Sequence, residues 1–367
     1  MAYQGIKNTT PFVAEPLLLA DEEGRDLLVM MAKATYAIDA QGKVSLAETQ
    51  TPLCLAGEYY GDPVKTSPKY APEGAFAKVA TDVVVIGHAH APKGRSVSQL
   101  DVSLQIGPLK KTLRVFGDRV WRKSVGLFAD TWKMSAPAPF EKMPLVYERA
   151  YGGQDLTAKD AKHHVFEPRN LVGVGVVSAH SAKATEPAPN IEDPEHLIKH
   201  IGDKPPPAGI GFVAPNWQPR LGFVGTYDDA WQKNRMPLLA KDFNRQFFCA
   251  ASPGLTAKGF LAGNEAVRIV NMTPEGRLDF VLPGGRPQAY IQMNGESEQA
   301  LEVLLDTVII DAETRQVQLL WRTVFPVFQR IYDIESLRLT LPEVANPAET
   351  KRESVFAVDS QGRMAWA

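Results

Sequence analysis

Leu27-Leu-Val-Met-Met-Ala-Lys-Ala-Thr-Tyr-Ala-Ile38, then Asp39-Ala-Gln-Gly42 and Lys43-Val-Ser-Leu-Ala47, reads as a β-hairpin. A long apolar run closed by an Asp-led, Gly-ending turn marks a strand and its return. Similar runs recur along the chain. Asp82–Gly87, Leu100–Gly107, Lys111–Phe116 and Arg119–Val125 are predicted strands, with Gly117-Asp118 as a tight turn. Later come Ala266–Asn271, Leu278–Leu282, Gln288–Met293 and the long pair Leu304–Ile310 and Val317–Val324. Helical signals are few. Thr226-x-x-Asp229 fits a capping box, Asp193-Pro194 precedes a predicted helix over Glu195–Ile201, and Leu156–His164 suits a short polar helix.

The expected fold is mainly β, two sandwich-like halves with short helices and a proline-rich insertion. A chain of 367 residues exceeds the usual size of one core, so two domains are expected. The boundary is placed at Met134–Pro144, giving 1–135, 136–345 and a tail, 346–367. Prolines crowd the window 181–220, read as an insertion in the second half anchored by Phe212 and Trp217. One echo links Thr35-x-x-Ile38-Asp39-Ala40 to Thr307-x-x-Ile310-Asp311-Ala312. It fits two hairpins that merely look alike, or a duplicated unit at each end of the chain.

Charge narrows the function. Lys and Arg number 40 against 42 Asp and Glu, a formal net charge of -2. Such a balance offers no broad basic field, which argues against nucleic acid and membrane surfaces as partners. No secretory signal is read at Met1–Asn8, and no apolar run approaches the ~20 residues of a membrane span. Cys54 and Cys249 sit in apolar surroundings. A disulfide stays open, but two buried thiols in a reducing, cytoplasmic setting fit better.

No catalytic motif emerges. His88-Ala-His90 would put two imidazoles on one strand face, yet its nearest acidic neighbours are only Asp82 and Asp101, so a third ligand is missing. Neither a serine nucleophile elbow nor a phosphate loop occurs. The expectation is a non-enzyme with no cofactor and no metal. Two aromatic-and-charge clusters flank the prolines: Pro144-Leu-Val-Tyr147-Glu-Arg149-Ala-Tyr151-Gly-Gly153, and Trp217-Gln-Pro-Arg220 with Tyr227, Trp231 and Arg235. Trp, Tyr and Arg are enriched at binding hot spots, and helical spacing would align Tyr227, Trp231 and Arg235 in one stripe. Tyr147, Arg149, Tyr151, Trp217, Arg220, Tyr227, Trp231 and Arg235 are the candidate partner-binding residues; packing of the stripe against the insertion is the alternative.

Several segments together resemble the bacterial family catalogued as domain of unknown function 2169. They are Lys78-Val-Ala-Thr81-Asp82 with its strand, Gly117-Asp118-Arg119-Val-Trp121, Met143–Gly153, Pro189-Asn190-Ile-Glu192, Trp217–Arg220, Gly225–Asp228 with Trp231 and Arg235, and Asp306-Thr307 leading to Trp321-Arg322. Where the family has Asn-Pro-x-Gly-x-Gly, this chain has Asn170-Leu-Val-Gly173-Val-Gly175. The resemblance implies an adaptor or chaperone of a type VI secretion system, loading a secreted effector protein onto the VgrG-type spike or its PAAR-type tip. The alternatives are a metal-dependent hydrolase using His88 and His90, or a structural β subunit of the apparatus.

Overall fold

The Asp26–Ile38 strand has a neighbour along each edge, Val13–Ala20 on one side and Gln316–Pro326 on the other. In this computed structural model, which describes residues 5–126, 130–328, 330–342, 356–358 and 364–366, the chain is mainly β. A six-stranded central sheet runs Val13–Ala20, Asp26–Ile38, Gln316–Pro326, Leu304–Asp311 and Asp82–Ile86, with Val44–Leu46 added beside Asp26–Ile38. Period-two alternation explains why Asp26–Ile38 is almost wholly apolar. Met30, Ala32, Ala34 and Tyr36 enter the main core, while Leu27, Val29 and Met31 face Phe76 and Leu320 on the other side. Lys33 is the polar exception. It is 1% exposed, and its ammonium is held by Glu73 at 2.7 Å and the Pro52 carbonyl at 3.2 Å, as a buried charge requires.

A five-stranded lateral sheet is ordered Ile191–Glu192, Leu109–Phe116, Gln99–Ile106, Ala266–Val270, Arg277–Val281. Its inward residues, including Val102, Leu104, Leu113 and Val267, join the same main core as the central sheet. Both large sheets mix strands from before and after residue 135, so backbone ladders cross the expected 1–135 and 136–345 division. A strand buried on both faces needs partners at both edges, and Asp26–Ile38 finds one of them only at Gln316–Pro326. Of the expected tail, 346–367, the described part is one pair of short strands, Phe356–Val358 and Met364–Trp366.

The proline-rich window is ordered and built in. Ile210, Phe212, Val213, Ala214 and Trp217 are buried in the main core. The amide of Val85 donates to the Ile210 carbonyl (2.9 Å) and that of Val83 to Leu255 (2.9 Å), so this segment and the 250s cover the open edge of Asp82–Ile86. Its one longer strand, Thr185–Ala188, lies at a sheet edge beside Arg119–Ser124, where Pro187 costs no ladder bond.

Several local expectations are corrected. Gly117-Asp118 does not close a hairpin: Leu109–Phe116 belongs to the lateral sheet and Arg119–Ser124 to another. Gly117 is needed because a Cβ there would lie 1.7 Å from the Ala138 carbonyl oxygen. No helix forms over Glu195–Ile201; the Asp193 and Asp203 carboxylates take the amides of Glu195, Lys199 and His200 that a helix would have used. Leu156–His164 holds only the 3-10 turn Ala161–His163. The α-helix is Asp229–Asn234, capped by Asp228 rather than Thr226, whose amide and hydroxyl bond Asp242. Both cysteines are free and half-buried. The two echoing hairpins lie in one sheet, and their likeness is local turn chemistry. Asp39 accepts the amides of Gln41 and Lys43, and Asp311 those of Glu313 and Thr314.

Candidate binding cleft

Tyr147 and Trp217 bring the two aromatic clusters together. Their rings meet edge to face at 5.5 Å and both are buried. The Tyr147 hydroxyl lies 2.8 Å from Ser252 Oγ, and burial pushes that phenol up to about 12. Ser252 in turn donates to the Gly209 carbonyl at 2.6 Å and accepts from Lys111 Nζ at 2.9 Å. Lys111 also donates to the Pro253 carbonyl at 2.6 Å; burial lowers its pKa to about 8, against a weaker pull from Asp193. Gly209 has to be glycine, because a Cβ would fall 2.7 Å from the Tyr147 ring. The node ties the lateral sheet, the 147 turn and the proline-rich segment together. Its protons run from ammonium to hydroxyl to carbonyl, and Ser252 is fully buried, so it acts as a strut.

In front of this node opens a cleft of about 650 Å³. It is lined by the Lys110–Leu113 stretch of the lateral sheet, by Asp193-Pro194-Glu195 and by Pro206-Pro207. Gln218 and Pro219 complete this part of the lining. Arg169, also in the lining, is already bound to Glu167 at 2.6 and 2.7 Å. A second depression, about 700 Å³, lies against Ala266–Arg268 and Asp279–Val281, where Arg268 and Arg277 are both spent on Asp279.

The candidate residues therefore separate. Tyr147 lines the cleft and Trp217 backs it from the core. Arg220 is buried beneath, donating to the Val213 (2.7 Å) and Phe247 (2.9 Å) carbonyls, and Tyr151 is buried as well. Trp217, Arg220 and Tyr151 are core residues in this fold, because all three are buried and the Arg220 guanidinium is spent on internal carbonyls. Arg149 is half-exposed and pairs with Asp118 at 2.8 Å. Tyr227, Trp231 and Arg235 are not among the cleft lining, and Arg235 is bound instead to the turn between the first two central strands. Tyr227 and Trp231 meet edge to face at 4.7 Å, but Arg235 does not stack on them. It donates to the Glu22 carbonyl (2.9 Å), the Glu23 carboxylate (2.9 Å) and the Leu239 carbonyl.

His88 and His90 meet a carboxylate that the sequence hid. Glu313 Oε1, from the turn after Leu304–Asp311, lies 2.9 Å from His88 Nδ1 and 3.0 Å from His90 Nε2. Lys142 holds the other oxygen at 2.6 Å. Asp82 is fully buried under Ala250, Thr256 and Lys78, and Asp101 pairs with Arg114. Among the described residues, no group of three or more His, Cys, Asp or Glu is placed to hold a metal ion.

The model of a bacterial family, described as "Uncharacterized protein conserved in bacteria (DUF2169)", matches residues 23–322. The chain belongs to this family. The matched span contains the cleft and nearly all of both large sheets. No curated protein and no solved structure matches the chain. Within the span, the quoted segments serve the scaffold. Thr81 Oγ1 donates to the Leu305 carbonyl and Lys78 bridges Asp82 and Thr307. Arg322 pairs with Asp306 at 2.6 Å and reaches the Glu73 carbonyl at 2.7 Å. Asn170 Nδ2 clamps the Tyr147 (2.8 Å) and Tyr151 (3.1 Å) carbonyls, and Gly173 leaves room for it, since a Cβ there would lie 2.4 Å from that nitrogen. Lys110, Lys111 and Ser252 were missed. The available signal was Asp193-Pro194, which ends the Ile191–Glu192 strand rather than starting a helix.

Proposed function

We propose that the protein is a non-enzymatic adaptor of a bacterial type VI secretion system, acting in the cytoplasm to load an effector onto the VgrG-type spike or PAAR-type tip. The preformed cleft carries this reading. Its walls are fixed by the Tyr147–Ser252–Lys111 node, so a partner segment would meet a surface already organised, which lowers the ordering cost of association. Family membership supports a bacterial setting. Among the described residues no helix is long and apolar enough to cross a membrane. The test is co-purification of the protein with effector and spike proteins expressed in pairs and together, and measurement of effector export from a deletion strain. Export that continues without the protein, with the apparatus intact, would reject the adaptor role.

A second reading, a metal-dependent hydrolase using His88 and His90, draws on their place two residues apart in one short strand; Glu313 hydrogen-bonds both rings and is not placed with them to hold an ion. Stoichiometric zinc or manganese in purified protein, lost in His88→Ala, would favour it.

A further inference from the structure

Residues Leu109–Phe116 pair with Gln99–Ile106 without a break, but Ile191–Glu192 covers the opposite edge only at Arg114 and Val115. The Phe116 amide donates to the Asn190 carbonyl on that side at 2.7 Å. By the two-residue period, Arg114, Thr112 and Lys110 point their backbone groups the same way. At Asp193-Pro194 the companion chain turns off: Asp193 takes the Glu195 amide, and a proline has no amide to offer. The edge at Lys110 and Thr112 is thus left without a ladder partner among the described residues, and it opens into the cleft. Beside it, the Lys111 ammonium hydrogen-bonds only neutral oxygens among the described residues, the Ser252 hydroxyl and the Pro253 carbonyl, and the Asp193 carboxylate pulls on it weakly without bonding it. Of the other charged lining groups, Asp101 and Arg169 are paired with Arg114 and Glu167, and Asp193 with His196. Lys110 and Glu195, the remaining charged lining residues, are both exposed.

We infer that the cleft receives an extended segment of a partner protein, which adds as a strand to the Lys110–Thr112 edge and presents a carboxylate to Lys111. The inference rests on the binding role proposed above and names the form of the bound segment. The strand would span roughly 13 Å of edge, about four residues at ~3.3 Å each. Its backbone pairs with the amides and carbonyls of Lys110 and Thr112, while side chains on the inner face become cross-strand neighbours of Lys111.

The probe is a capped synthetic peptide of alternating threonine and valine with one central glutamate, beside a version with lysine in its place. Residue-resolved hydrogen exchange on the full chain should show protection of the Lys110 and Thr112 amides on peptide binding. The lysine peptide should bind at least about tenfold more weakly. Thr112→Pro removes the cleft-facing amide while sparing the ladder to Gln99–Ile106, and should weaken the glutamate peptide about tenfold or more with little change in melting temperature. If that variant fails to fold, Lys111→Gln decides: it should still bind but no longer distinguish the two peptides. Absence of protection at about millimolar peptide, or unchanged binding by folded Thr112→Pro, overturns the inference. Effector and spike binding is measured separately on the same variants. Binding that survives Thr112→Pro removes the edge and keeps the adaptor; a peptide that docks while effector and spike do not removes the adaptor and keeps the edge.

Discussion

Arg322 and Asp306 form an ion pair at 2.6 Å with both side chains almost sealed from water, 4% and 1% exposed. The same guanidinium takes the carbonyls of Glu73 and Ala75, so it joins two neighbouring strands of the central sheet to the loop above them. Arg322→Ala leaves the Asp306 charge buried and two carbonyls without that donor. The expected loss is about 3–5 kcal/mol of stability, read by denaturant unfolding, and a loss under about 1 kcal/mol would contradict the geometry.

Arg235 should behave as a staple. Arg235→Ala cuts its bonds to Glu22, Glu23 and Leu239, and about 1–3 kcal/mol is expected to go. Binding to the cleft peptide should be unchanged, because the Glu22–Glu23 turn is not among its lining. Equal damage to both would place the stripe and the cleft in one site.

Glu313 gives an acid-sensitive contact. Burial raises its pKa, but Lys142 and the two histidines outweigh burial and hold it at about 2, below the ordinary 4.5. The folded state therefore favours the ionised form. Its contribution is complete above about pH 4.5 and is lost as the pH falls toward about 2. Acid titration of Glu313→Gln should show a shallower loss of stability across that interval than the parent protein. An identical slope would mean that the clasp carries no weight.

Lys111 titrates in the opposite sense from a paired lysine. Burial lowers its pKa from 10.5 to about 8, so the fold disfavours the charged form. Its contribution to stability should rise with pH between about 8 and 10.5. A carboxylate bound beside it should move its titration upward, as seen by NMR of the side-chain nitrogen. A titration that stays put on binding of the glutamate peptide would separate Lys111 from the ligand.

The strands were legible because local pattern and tertiary role agree. Gln288–Met293 falls where its alternation predicts, and the long central strands differ from expectation by a few residues at their ends. Val13–Ala20 and Ile334–Thr340 were not anticipated as strands. The division at 135 failed to appear in the sheets because strand pairing across hundreds of residues leaves no local mark. Site residues were the hardest to read. Tyr147, Trp217 and Arg220 look alike as binding and as core residues in sequence, and only the burial of each decides. Glu313 is invisible for the same reason, since a turn brings it to His88 from the far end of the chain.

The pairing of Asp26–Ile38 with Gln316–Pro326 also sets an order of events during synthesis. When the first strand leaves the ribosome, one of its two edge partners has not yet been made. Until Gln316–Pro326 is made, a thirteen-residue, largely apolar strand has half its amides and carbonyls without their final mates. Chains with such distant pairings fold late and are open to misassociation meanwhile. The protein thus completes its central sheet only after Gln316–Pro326 has been made, and anything that shields the nascent strand until then would govern how much of it reaches the folded state.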